Sequence, residues 1–127
     1  GESGEDGSFY DTEIANILKT AVADKILVFI DHCYSGGIGP ELMAMSNSAK
    51  VYCTTTCTED GYGYDDPGSQ NGAWTAEFLG DTLISHFGSS PSTTMEAAFD
   101  YASANYSHSG GDAPMEFDGN SGSTFTI

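Results

Sequence analysis

Ile26 to Ile30 is the segment that most restricts what this chain can fold into. Ile-Leu-Val-Phe-Ile makes both faces of a strand apolar. Such a strand needs cover on each side, which is the arrangement of a parallel sheet between helices. The run stops abruptly at Asp31, His32, Cys33, Tyr34, Ser35, Gly36 and Gly37. In open α/β sheets, sites lie beyond the carboxyl ends of the strands. Cys33 stands at that position, and a thiol there is a candidate nucleophile. Gly36 and Gly37 let the backbone turn sharply behind it and turn N–H groups toward a developing oxyanion.

The remaining segments supply the helices and further strands. Ile14, Ile17, Leu18, Ala21 and Val22 recur at helical spacing and predict an amphipathic helix from Asp11, with Asp11 and Glu13 suited to its first turn. A short helix is expected around Glu41 to Met45. Val51 to Thr56 is rich in β-branched residues and reads as a second strand. Thr58 to Gln70 reads as a long acidic loop. Trp74, Phe78, Leu79, Leu83 and Phe87 suggest a helix that Gly80 weakens. Pro91 to Thr93 open another, with Met95, Ala98, Phe99 and Ala102 on one face. Short strands are expected at Met115 to Phe117 and Thr124 to Ile127, with a turn from Asp118 to Gly122. Gly1 to Ser8 reads as a loop or a processed end. Alternating helices and strands make an α/β layered fold in one domain over 1–127. Two convincing strands make a thin sheet, so further strands are expected from a preceding segment or another chain.

Charge narrows the partners. Nineteen acids face three basic residues, Lys19, Lys25 and Lys50, for a net charge of −16. That balance argues against nucleic acid and anionic membranes and favours cationic ligands or a basic peptide. A plain solubility surface, in a salty or extracellular setting, is the alternative. No apolar run is long enough to cross a bilayer, and Gly1 opens no signal peptide. The compartment is left open, with the arginine-free composition leaning extracellular.

The three cysteines form no disulfide framework. Cys53 and Cys57 lie too far apart to bridge if the Thr run between them is extended, and their spacing matches no zinc pair. Cys53 is expected to be buried and Cys57 to sit in a loop. A nucleophilic cysteine needs a base, commonly histidine. His32 follows the strand, but adjacent side chains point to opposite faces. His86 suits a helix C-terminus. His108 falls in a Ser/Gly turn and is expected to be solvated.

The segment ILVFI-DHCYSGG resembles the nucleophile motif of the caspase-like cysteine peptidases. The nearest forms are metacaspase-like and legumain-like: an apolar strand, an acid, any residue, Cys, any residue, Ser-Gly. Asp11 to Leu18, Lys50 to Tyr64, Asn71 to Leu83 and Pro114 to Gly119 resemble other family segments in the same order. The resemblance implies a three-layer caspase-like sandwich with a mostly parallel sheet, here lacking its N-terminal strands. It implies that Cys33 is the nucleophile and that its backbone N–H helps form the oxyanion hole. It places Asp31 beside the substrate pocket. There an acid favours Arg or Lys in metacaspase-like members, while a glutamate accompanies asparagine specificity in legumain-like ones. Capping of a turn is the other role open to Asp31. The family's general base is a His-Gly histidine on the strand before the Asp11 helix. None of His32, His86 and His108 matches it. The expected partners are therefore a peptide or protein substrate and a companion N-terminal fragment carrying that histidine. The chain alone is expected to be inert. A non-catalytic descendant used for assembly is the competing expectation.

No cofactor is required by this chemistry. Calcium is a further possibility, since some metacaspase-like enzymes depend on it. Glu59, Asp60, Asp65 and Asp66 gather in one loop, and Asp118, Asn120 and Gly122 mimic part of a calcium loop. Neither group has full EF-hand spacing, and a solvated acidic loop is the simpler reading. Tyr62 and Tyr64 would line a substrate groove or cover the sheet edge.

Overall fold

A computed structural model describes residues 10–127. The expected loop or processed end from Gly1 to Ser8 lies outside the described residues. The first helix, α1 (Asp11–Leu18), starts where the charge pattern places it. The Glu13 carboxylate turns back to accept the Tyr10 N–H at 2.7 Å, satisfying a donor that the helix itself cannot. Ala15 is buried, with Ile14 and Leu18 packed beside it. Ile17 does not join them, at 61% exposed, and Val22, beyond the end of the helix, is fully exposed. The expected apolar face is therefore narrower than its spacing suggested: Ile17 is exposed within α1, and Val22 lies past its end at Leu18.

Strand β1 (Ile26–Ile30) pairs in parallel with β2 (Val51–Thr55), Ile26 opposite Val51 and Ile30 opposite Thr55. Strand β5 (Met115–Asp118) lies antiparallel on the other side of β2, so the order is β1-β2-β5. The sheet among the described residues is thus mixed, with one of its two pairings parallel. The terminal segment runs back along β2 after the chain has passed through the ribbon and the helices that follow it. The expected strand at Thr124 to Ile127 reduces to one bridge, Thr94 to Thr126. Within the loop after β2, β3 (Asp65–Asp66) and β4 (Asn71–Gly72) form a separate two-stranded ribbon.

Helices cover both faces of the sheet. On one, α1 and α2 (Ile38–Met43) bring Ala15, Ile38 and Leu42 against Ile26, Val51 and Cys53. Burial pushes the Cys53 thiol up to about 12, so this cysteine is a packing group. Gly39 is needed there, because a Cβ would overlap the Phe117 ring. On the other face, Trp74, Phe78 and Leu83 pack with Tyr52, Met95, Ala98, Ala102 and Phe125. The last helix, α4 (Met95–Asn105), is capped by the Thr94 hydroxyl oxygen, which accepts the Ala97 N–H at 3.2 Å.

Helix α3 (Ala73–Thr75) continues as a π-helix from Ala76 to His86. Its wide turn is visible in the bonds Phe87 N–H to Thr82 C=O and Ser85 hydroxyl to Gly80 C=O, each spanning five residues. The buried side chains follow that wider turn: Trp74, Phe78 and Leu83 are separated by four and then five residues. Leu79, expected on the same face, is partly exposed instead.

Between β2 and β5, the Tyr52 hydroxyl donates to Glu116 Oε1 at 2.7 Å. Burial raises the Glu116 carboxyl above its ordinary range, with Asp100, Asp118 and Glu96 adding to the shift. A carboxyl raised in the folded state contributes its stability below the ordinary glutamate range and loses it as pH rises through the shifted value. Glu116→Gln keeps an acceptor for Tyr52 and removes the buried charge. It is expected to raise the melting temperature at pH 7 and to leave it unchanged near pH 4, measured by thermal unfolding across that range.

Candidate active site

The parallel ladder puts the carboxyl ends of β1 and β2 side by side. Thr56 N–H continues it by donating to the Ile30 C=O at 3.1 Å. The Cys33 turn and the loop leaving β2 therefore meet at one edge. Cys33 is part-buried, and its thiol donates to the Gly63 carbonyl at 3.7 Å. The Cys33 N–H has no acceptor among the described residues. After Cys33 the chain enters a tight 3-10 turn, Ser35–Gly37, that leads straight into α2.

Tyr34 makes this turn possible at a cost. Its φ is +62°, in the left-handed region that bulky side chains rarely occupy. Such a residue costs about 1–2 kcal/mol. It is held by its N–H, which donates to the Gly61 carbonyl at 2.9 Å. Its ring stands against Tyr62, with centroids 5.5 Å apart. Gly36 is buried against the backbone of Cys57 and Thr58, where a Cβ would come within 2.7 Å of three of their atoms. Its glycine is thus required for the two loops to touch, as well as for the turn.

Gly63 plays the same part nearer the thiol. A Cβ there would sit 3.3 Å from the Cys33 nitrogen and 2.9 Å from the Thr56 methyl. The loop from Gly61 to Tyr64 is fastened from a distant segment by Asp112. That carboxylate accepts the Tyr62 N–H and the Tyr64 hydroxyl, both at 2.8 Å. These bonds hold the Asp112 carboxyl below its ordinary range. Nothing in the sequence pointed to Asp112, because its partners lie about fifty residues earlier. The Gly-Tyr-Gly-Tyr alternation at 61–64 was the available signal for a close-packed loop.

Asp31 has a defined structural task. Its Oδ2 accepts the Thr75 N–H at 2.8 Å and the Thr75 hydroxyl at 2.6 Å. It thereby closes the start of α3, and Gly72 makes room for it, since a Cβ there would overlap the carboxylate. The capping role expected for Asp31 thus falls on a helix more than forty residues away, rather than on the turn that follows it.

The three histidines have other partners. His32 is exposed, and its Nδ1 lies 2.6 Å from the Cys33 carbonyl oxygen. His86 stacks on Tyr101, with centroids 3.7 Å apart. His108 is not free in solvent: it is half-buried and stacks on Tyr64 at 4.2 Å, because the turn that carries it folds back over that loop. Among the described residues, no histidine nitrogen is bonded to the Cys33 sulfur. Cys57, expected in a loop, does lie beyond β2, but it is fully buried, with its sulfur 3.5 Å from the Ser35 hydroxyl. All three cysteines are free.

Asp65, Asp66, Glu77 and Asp81 line an open cavity of about 280 Å³ together with Tyr106 and His108, and Cys33 does not border it. Among the described residues, no three His, Cys, Asp or Glu side chains converge as a metal ion requires. The Asp66 carboxylate instead accepts the N–H groups of Gly68 and Ser69, and Asp118 accepts the Asn120 N–H, both ordinary turn bonds. No helix among the described residues is long and apolar enough to cross a membrane. No protein-family model matches this chain, and no curated protein matches it in sequence.

Asp31→Ala removes the one oxygen that accepts both Thr75 bonds and is expected to destabilise the fold by about 1–3 kcal/mol. Asp31→Asn, which keeps one oxygen acceptor, is expected to cost less. Urea unfolding of the two variants checks the order.

Proposed function

We propose that this chain is the nucleophile-bearing part of a caspase-like cysteine endopeptidase, with its general base on another segment. The observation that carries the reading is the position of Cys33. It follows β1 at the carboxyl edge of the sheet, with a backbone N–H that has no acceptor among the described residues. The order of elements around it agrees with the family resemblance of the DHCYSGG segment.

The missing base has a natural place. Strand β1 is apolar on both faces, yet β2 is its only partner among the described residues. Because the Ile30 carbonyl faces β2, the backbone groups of Leu27 and Phe29 point to the open edge. Beside that edge lies an apolar groove of about 190 Å³ lined by Leu27, Phe29, Leu79, Leu83 and Ile127, among others. An unpaired apolar edge of this kind invites another strand. A strand added there in parallel would end beside Cys33, where a histidine at its tip reaches the thiol.

In this reading the histidine takes the Cys33 proton. The thiolate attacks the scissile carbonyl carbon, and the Cys33 N–H stabilises the oxyanion. Collapse breaks the C–N bond, and the leaving amine takes the proton from the imidazolium. Water, deprotonated by the same histidine, then cleaves the thioester and restores the thiol. The negative field of the chain favours a basic residue before the scissile bond, and Asp31 stands nearby. Its oxygens are already engaged with Thr75, so its part in specificity is shared with its part in the fold.

One observation favours a non-catalytic reading. The Cys33 thiol is already engaged, donating to the Gly63 carbonyl at 3.7 Å. In that case the open edge serves assembly and Cys33 stays idle.

The two readings separate on one experiment. With the histidine-bearing segment present, an acyloxymethyl ketone carrying a basic side chain is expected to alkylate Cys33, read by peptide mass mapping. Cys33→Ala should lower peptide cleavage on the order of 10⁴-fold or more. Absence of alkylation, or cleavage that survives Cys33→Ala, would sink the peptidase reading.

A further inference from the structure

The residue directly after the nucleophile is a strained, outward-facing tyrosine. Tyr34 is 53% exposed and Tyr62, against which it stands, is 52% exposed. Large aromatic rings left half in water beside a reactive group are an uncommon use of apolar surface. The backbone that carries each ring is anchored. Tyr34 is tied through its N–H to Gly61, and Tyr62 through its N–H to Asp112. A Cβ on Gly61 would overlap the Gly111 carbonyl, so the loop carrying Tyr62 is seated against the segment that holds Asp112. Backbone strain kept at an exposed, well-anchored position is a mark of a functional surface.

We propose that Tyr34 and Tyr62 form a substrate subsite that takes a guanidinium side chain by stacking, at a peptide position other than the one beside Asp31. The inference rests on the peptidase reading and adds a second specificity element to it. The two elements face different partners: Asp31 turns toward Gly72 and Thr75, whereas Tyr34, on the Cys33 turn, stands against Tyr62 of the Gly61–Tyr64 loop.

Charge decides what the rings receive. The chain carries nineteen acids and three lysines, and the Asp112 carboxylate is bonded to the same loop. A tyrosine face attracts a cation within about 6 Å of its centre, and surrounding acids strengthen that attraction. Arginine fits better than lysine because its flat, weakly hydrated guanidinium lies along a ring, while an ammonium keeps its water. Substrates with two basic positions near the scissile bond are the class this geometry selects.

Binding tests the subsite independently of catalysis. The Cys33→Ala chain is titrated with an acetylated tetrapeptide amide containing one arginine, and with the same peptide containing citrulline, which keeps the shape but lacks the charge. Tyrosine ring signals are followed by NMR. The arginine peptide is expected to shift the Tyr34 and Tyr62 rings and to bind about fivefold more tightly than the citrulline peptide. Tyr34→Ala and Tyr62→Leu, each checked for folding by circular dichroism, should remove that preference. No binding, equal binding of the two peptides, or a preference that survives in both folded variants overturns the proposal. Selective binding without cleavage by the protein that includes the histidine segment would keep the subsite and remove the peptidase. Cleavage without this selectivity would do the reverse.

Discussion

The parallel pairing of Ile26–Ile30 with Val51–Thr55 is the constraint on which the site depends. Parallel strands end at the same edge, so the loops that leave them must share space. One loop carries Cys33 and Tyr34, and the other returns through Gly61 and Gly63 to touch both. In an antiparallel pair the two loops would leave opposite ends and never meet. Glycine at 36 and 63 answers the crowding that this shared edge creates, since in each case a side chain would strike the other loop, while Gly61 lets the second loop seat against Gly111.

The acids divide between work and surface. Asp31 and Asp112 are both far in sequence from the groups they hold, and each fastens a whole segment: the start of α3 in one case, the loop over Cys33 in the other. Glu116 lies against the Tyr52 hydroxyl under burial that raises its carboxyl. Asp66 and Asp118 serve turns. The charge of the chain is therefore not only a solubility coat, although its long-range field still favours a cationic ligand.

Local patterns carried much of the architecture. The Thr94-capped helix and the two parallel strands stood close to where spacing and β-branching placed them, because those signals report burial of one face or both. The same signals misplaced Ile17, Val22 and Leu79. Helical periodicity assumes a regular turn of sufficient length, whereas α1 ends early and the Trp74 helix widens into π geometry. His108 was taken as solvated because its neighbours are Ser and Gly, but its ring is covered by Tyr64 from another part of the chain.

The sequence by itself determined that an apolar strand must end in an acid, a thiol and a glycine turn, since side-chain volume and backbone freedom are local properties. It also determined the sign of the charge, which follows from the count of acidic and basic residues alone. Only the tertiary structure decided that β1 lies at the open edge of a mixed sheet, that Asp31 closes a distant helix, and that Asp112 fastens the loop over the thiol. Those outcomes depend on which segments come together across forty residues or more, and no spacing along the chain encodes them.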